Sequence, residues 1–308
     1  MTPLAESNIL IVGLVRNCAK NIESTVKRLE ASFGNAKKVK LYLVESDSSD
    51  STCQILNRLS KEKRNFSFNS LGRLSKDIPK RTARIAYCRN YCIDRIKHNS
   101  EYADIHYVVV ADMDGVNNKL SVDAVNSCWD RPGWDVCAAN QSGPYYDIWA
   151  LRHEYWSPND CWQQARFLLS CGASYFNSVS ASVYSRMVCI APSAEWIEVE
   201  SAFGGLAIYR KEALLSVKYN GLMENGEEVC EHVAAHEQIR SFGGRIFINP
   251  ALINAGLVEH ARHATYFGLA FFWVRCQIRK LASYTNLVPV IKKARLIVKG
   301  SLSKNRVP

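Results

Sequence analysis

No apolar run in this sequence approaches the ~20 residues that a membrane-spanning helix needs. No basic segment precedes the first short apolar stretch of "MTPLAESNILIVGLVRNC" either, so that start predicts a buried strand and not a secretory leader. A dinucleotide-binding turn would place G-x-G-x-x-G after the first strand, and "GLVRNCAKN" supplies Gly13 alone. The P-loop pattern is also missing. No CxxC pair occurs among the eleven cysteines, and their odd number excludes complete internal pairing. Reduced, mostly buried thiols are expected. Repeats, low-complexity tracts and clean linkers are lacking, which favours one compact unit.

What is present has a directional charge. Lys and Arg total 39 against 29 Asp and Glu, a formal +10 that points to an anionic partner. Nucleic acid is not that partner, because the basic residues are not concentrated in the aromatic middle and two consecutive loops are acidic. Apolar runs alternate with helical periodicity through the first third. "NILIVGL" (8–14) reads as a strand buried on both faces, and Ile22, Val26, Leu29 and Phe33 recur at helical spacing after it. "KVKLYLVE" (38–45) is a second strand, followed by "SDSSDSTCQILNRLS", a helix with Asp50 or a serine as cap. Ile85, Cys88, Cys92 and Ile96 stripe a third helix before the strand "IHYVVVA". Strand and helix in alternation imply a mainly parallel sheet with helices on both faces.

Such sheets bind ligands beyond the carboxyl ends of their strands. Arg16 and Asn17, Glu45 to Asp50, and Asp112 to Asp114 all fall there. In "YVVVADMDGVNN" (107–118) two carboxylates flank Met113, and a turn at the strand end lets them converge on Mg²⁺ or Mn²⁺. The cation would let an acidic loop hold a diphosphate. Arg81 and Arg84, beside Lys80, form a basic cluster whose guanidinium forks match diphosphate oxygens. Arg16 could pair with a phosphate from the first loop. Tyr145, Tyr146, Asp147, Trp149 and Arg152 could line a sugar groove, with rings on C–H faces and the acid on hydroxyls. His232 and His236 stand i,i+4 without the Glu of H-E-x-x-H, which removes the zincin reading. "FGG" (203–205) suggests backbone held close to a ligand, or a bulge.

With its Asp-x-Asp after a central strand, the chain resembles a nucleotide-sugar glycosyltransferase of the GT-A fold, family-2-like. Segments 8–17, 41–52, 80–92 and 107–114 follow that family's order. "YYDIWALR" and "FGGLAIYR…CEH" are also similar to capsule-type mannosyltransferases. The resemblance implies a Rossmann-like α/β domain with a nucleoside-diphosphate sugar as donor and a glycan or lipid-linked saccharide as acceptor. It implies that Glu45 and Asp47 contact the nucleoside, that Asp112 faces the ribose or reaches the metal through water, and that Asp114 coordinates the metal directly. A histidine after the last core strand, His260 before His263, would complete the metal shell. For inverting transfer the base would come from "NGEEVCEHVAAHEQIR" (225–240), Glu231 first and Glu228 second, with Asp147 as a further acid. Retention of configuration, in which no base is needed, stays open, as does a nucleotide-sugar hydrolase or pyrophosphatase.

The expected organisation is a nucleotide-sugar half over 1–125, an acceptor half over 126–270 and a basic amphipathic extension over 271–308. That extension holds nine Lys and Arg and no Asp or Glu. Its rings and charges suit an anionic membrane surface, so the chain is expected to be cytoplasmic and peripheral on the cytoplasmic face of a membrane.

Overall fold

The computed structural model describes residues 1–284. Continuous apolar runs become the central strands. β1 (Asn8–Val15), β2 (Lys38–Glu45) and β4 (Tyr107–Ala111) lie parallel and side by side, with β3 (Phe66–Ser70) on the outer edge of β2. The remaining strands are β5 (Val136–Gln141), β6 (Ile197–Val199), β7 (Leu206–Arg210) and β8 (Ile246–Ala255). The eight-stranded order is β3-β2-β1-β4-β7-β5-β8-β6. β7 runs antiparallel to both neighbours and β6 antiparallel to β8, while β5 and β8 are parallel. The sheet is therefore mainly parallel with two reversed strands, and one sheet serves all the described strands. This is the α/β architecture the resemblance implies, consistent with a Rossmann-like GT-A fold.

Helices cover both faces because both faces of β1 and β4 are apolar. Ile9, Ile11, Val109 and Ala111 pack toward α1 (Ile22–Ser32) and α2 (Thr52–Glu62). Leu10, Val12, Val108 and Val110 pack toward α3 (Arg81–His98) and α8 (Glu231–Ser241). Each fully buried valine of β4 is worth ~1.5–3 kcal/mol relative to exposure. α4 (Val122–Asn126), α5 (Cys161–Ser170), α6 (Tyr175–Ser182) and α7 (Lys211–Leu215) fill the connections. The expected cap of α2 is Asp50, one residue earlier than the helix boundary: its Oδ1 accepts from the Thr52 amide at 3.0 Å and its Oδ2 from the Ala19 amide at 3.2 Å.

α9 (Tyr266–Tyr284) closes the described chain and docks through Phe272 on Tyr175, Phe176 and Tyr184. The second basic stretch, "IKKARLIVKG", lies outside the described residues. Among the described residues no helix is long and apolar enough to cross a membrane. All eleven cysteines are free and seven are buried, as their odd number and spacing predicted.

Candidate functional site

The alternation of β4 determines where the acidic pair points. Val108 and Val110 face α3, and Asp112 continues that side one step past the strand end. Met113 turns to the other side and is buried there. It sits over Gly13, where a Cβ would come 2.5 Å from the Met113 Cγ, so the first strand must carry glycine at that point. Asp114 follows, exposed, with its backbone carbonyl accepting from Asn21.

Parallel register brings the preceding loops alongside. Val15 pairs with Glu45, so the turns after β1 and β2 are neighbours. Asn17, at φ 52°, accepts from the Ser49 amide at 2.7 Å, and Asp47 adopts φ 61°. Together with the start of α3 they bound a cleft of about 350 Å³, lined by Arg16, Asp47, Arg81, Arg84, Arg89, Asp112 and Asp114 among others. A second cleft of about 820 Å³ lies on the other side of the acidic pair and carries Asp147, Trp149, Trp162, Glu231, His232 and His260. Arg81, Ile85, Arg89, Asp112 and Asp114 line both. Two spaces meet at two carboxylates and two guanidiniums.

Backbone and amide groups fix the acids in place. The Asp112 amide donates to the Gly205 carbonyl at 2.9 Å, and the Gly204 amide donates to Asp147 Oδ2 at 3.0 Å. Gly204 and Gly205 adopt φ 68° and 84°, and a Cβ on Gly205 would lie 2.6 Å from the Tyr146 hydroxyl. The FGG turn therefore holds the acids against each other through its backbone. Buried Asn117, Gln141 and Asn254 tie it down: Asn117 donates to the Asp112 carbonyl, while Gln141 and Asn254 both donate to the Gly204 carbonyl.

The electrostatics are those of crowded carboxylates. Asp112 is half-buried, and desolvation pushes its pKa up to about 7, with Asp114, Asp147 and Glu231 adding to the rise and Arg89 opposing it. Desolvation likewise lifts Asp147 to about 6, against hydrogen bonds from Gly204 and Ala150. Among the described residues no group donates a hydrogen bond to the Asp112 carboxylate. A cation's charge is what such a cluster lacks. The described residues contain no group of three His, Cys, Asp or Glu side chains that could hold a metal ion alone. Two carboxylates fit a hard divalent cation that takes its remaining oxygens from a diphosphate and water. His260 is not gathered into a three-ligand group with the pair; it is exposed and stacks on Tyr146 with centroids 6.2 Å apart.

Arg89 joins the two halves of the site. It is buried, and its Nε donates to Glu231 Oε1 at 2.8 Å. Burial alone would lower its pKa, and Glu231, Tyr219 and Asp112 together outweigh that and raise it. Behind Glu231 lies a buried relay: Ser201 Oγ and Tyr209 Oη each sit 2.8 Å from a ring nitrogen of His236, and Tyr209 Oη is 3.5 Å from His232 Nδ1. Desolvation drops His236 to about 3 and His232 well below its usual value, so both rings are neutral. His232 lies flat on Phe203 at 4.0 Å, and its Nε2 makes no hydrogen bond among the described residues, with Glu231 Oε1 3.6 Å away.

Several residues singled out in the sequence stand elsewhere. Glu45 lines neither cleft: its oxygens accept from the Ser48 amide and the Ser70 hydroxyl, so it shapes the turn. Glu228 accepts from the Thr82 amide at 2.9 Å and hydroxyl at 3.1 Å, capping α3 outside both clefts. Tyr145 is fully buried against Trp156, and Arg152 is tied to Asp160 at 3.2 Å, so neither reaches the groove. Arg84 spends one nitrogen on the Ile78 and Pro79 carbonyls while its Nε lies 3.7 Å from Asp47. Asp47 keeps one buried oxygen, Oδ2, without a hydrogen bond. Arg16 and Arg81 are exposed.

No family model matches the sequence, and no curated protein matches it. Among solved structures the chain is similar to the mannosyltransferase PcManGT from Pyrobaculum calidifontis in complex with GDP-Man and Mn²⁺. Identity is 13% and TM-score 0.46, over 81% of this chain and 56% of that one. It is similar to residues 1–349 of S. aureus TarS in complex with UDP-GlcNAc at 14% identity and TM-score 0.43, over 82% and 59%. It is also similar to mannosyl-3-phosphoglycerate synthase from Rubrobacter xylanophilus at 13% identity and TM-score 0.37, over 92% and 76%. The chain spans under three fifths of the length of the first two. At these scores the likenesses assign no role to any residue.

Proposed function

We propose that the chain is a glycosyltransferase that moves a sugar from a nucleoside diphosphate to a hydroxyl of a glycan or lipid-linked saccharide. The observation that carries this is the junction of two clefts at Asp112, Asp114, Arg81 and Arg89. The smaller cleft suits a nucleoside diphosphate, with Asp47 and the turn around it at the nucleoside end and Arg16 and Arg81 at the phosphates. Asp112 and Asp114 would hold Mg²⁺ or Mn²⁺, which when bound neutralises the departing diphosphate. Trp149, Trp162 and Tyr146 give the larger cleft the rings that a saccharide acceptor stacks on.

In the inverting form Glu231 takes the proton of the acceptor hydroxyl as its oxygen attacks the anomeric carbon. The bond from that carbon to the phosphate oxygen breaks, and the electron pair leaves with the nucleoside diphosphate. Asp147, at the amide of Gly204, orients the transferred sugar. A second reading, retention, is favoured by the Arg89–Glu231 contact, because a carboxylate held by a buried guanidinium is a weaker base and makes a good acceptor ligand.

The deciding experiment incubates the full chain with UDP-, GDP- and dTDP-sugars, Mn²⁺ and a saccharide acceptor, and determines the product's anomeric configuration by NMR. Inversion calls for a base, which loss of turnover in Glu231→Gln would assign to Glu231, and retention supports the second reading. Release of free sugar only would replace transfer with hydrolysis. Nucleotide binding that is unaffected by chelation would remove the metal.

A further inference from the structure

The outer face of α9 has no counterpart in the sheet. Phe272 and Cys276 turn inward against the core, whereas Phe267, Phe271, Val274 and Ile278 recur at intervals of four, three and four on the opposite side. These four are 91%, 60%, 43% and 52% exposed. Arg275 and Arg279 fall on one flank of this stripe by helical geometry, and Trp273, half exposed, on the other. A row of large apolar side chains bordered by cations and an indole is costly in water and fits the boundary between headgroups and acyl chains. Charge selects the kind of surface: from residue 271 on, the sequence has nine Lys and Arg and no acid.

We propose that α9 lies in the plane of an anionic bilayer, with the Phe267–Phe271–Val274–Ile278 stripe among the acyl chains and its arginines at the phosphates. The helix also packs behind residues that line the site. Its Phe272 stands 5.2 Å from Tyr184 and 5.1 Å from His263, both of which line the larger cleft. A helix is ~10–12 Å across, so the lipid surface passes about one helix diameter from the acceptor space. On the glycosyltransferase reading, the acceptor is then a saccharide anchored in that bilayer. The seating itself does not rest on that reading, and flotation and nucleotide binding can fail separately.

The test is flotation of the full chain with vesicles of phosphatidylcholine alone and of phosphatidylcholine with phosphatidylglycerol, at ~0.15 M salt. The protein should float with the anionic vesicles and largely stay behind with the neutral ones. Arg275→Gln with Arg279→Gln should weaken partitioning about fivefold for each charge removed. Serine at all four stripe positions should abolish flotation while nucleotide binding persists. Brominated lipid should quench a fraction of the tryptophan fluorescence that Trp273→Phe removes, a readout that needs no disruptive variant. Failure of the full chain to float, or equal flotation of the serine variant, overturns the proposal. So does a wild-type dimer that the serine variant converts to monomer, because a second copy would then cover the stripe.

Discussion

Asp112→Asn should make the metal-free protein more stable at neutral and alkaline pH. The carboxylate rises from 3.8 to about 7 in the fold, roughly three units, at 1.36 kcal/mol each. Ionising it there therefore costs up to about 4 kcal/mol, a ceiling because water still reaches this half-buried group. The raised pKa means that the folded state binds the proton more tightly than the unfolded chain. Native stability is undiminished below pH ~4, falls as pH rises through about 7, and is lowest above it. Asparagine keeps the shape without the charge, so its advantage should be absent at pH 4 and full at pH 8. Urea unfolding of both proteins with chelator from pH 4 to 9 measures the difference directly. Nucleotide affinity in Mn²⁺ should move the other way: in the wild type it should climb with pH until about 7, as the proton is displaced, and in Asp112→Asn it should be lost. A variant destabilised equally at every pH would refute this account of the acidic cluster.

Arg89→Met leaves Glu231 buried and unpaired, which should cost ~3–5 kcal/mol in urea unfolding, and adding Glu231→Leu should recover most of it. An Arg89→Met protein as stable as the wild type would mean that the pair is not formed. Glu228→Ala should cost about 1 kcal/mol through loss of the α3 cap with turnover nearly unchanged, whereas Glu231→Gln should slow turnover by ~10²–10⁴-fold. The Glu228 pKa is lowered, chiefly by the Thr82 amide, so the cap's contribution should be present above pH ~4.3 and vanish as pH falls through the lowered value.

The parts legible in the sequence were those governed by local pattern. β1, β2 and β4 are continuous apolar runs, and Asp112 and Asp114 follow directly from the last of them. β3, "FSFNS", escaped because an edge strand buries little and reads as polar. Acids at strand and helix ends look alike whether they cap, shape a turn or do chemistry. Thr82 decides for Glu228 from 146 positions away, and Ser70 decides for Glu45 from 25. Arg89 did leave a trace: it falls among Ile85, Cys88, Cys92 and Ile96, and a charge inside an apolar stripe needs a buried partner. Asn117, Gln141 and Asn254 left none, since their role depends on the distant glycine turn.

The insertion of β7 between β4 and β5 also has a consequence for biosynthesis. β4 can pair with β1 as soon as it has emerged, yet its other edge has no partner until residues 206–210 follow. At ~5–20 residues per second the ribosome needs several seconds or more to supply them, and a bare apolar edge is a template for unwanted pairing during that interval. The acidic pair cannot take its final position earlier, because the carbonyl that holds Asp112 belongs to Gly205. A chain cut between the two halves should therefore aggregate when its first piece is made alone, and the pieces should regain solubility only when synthesised together.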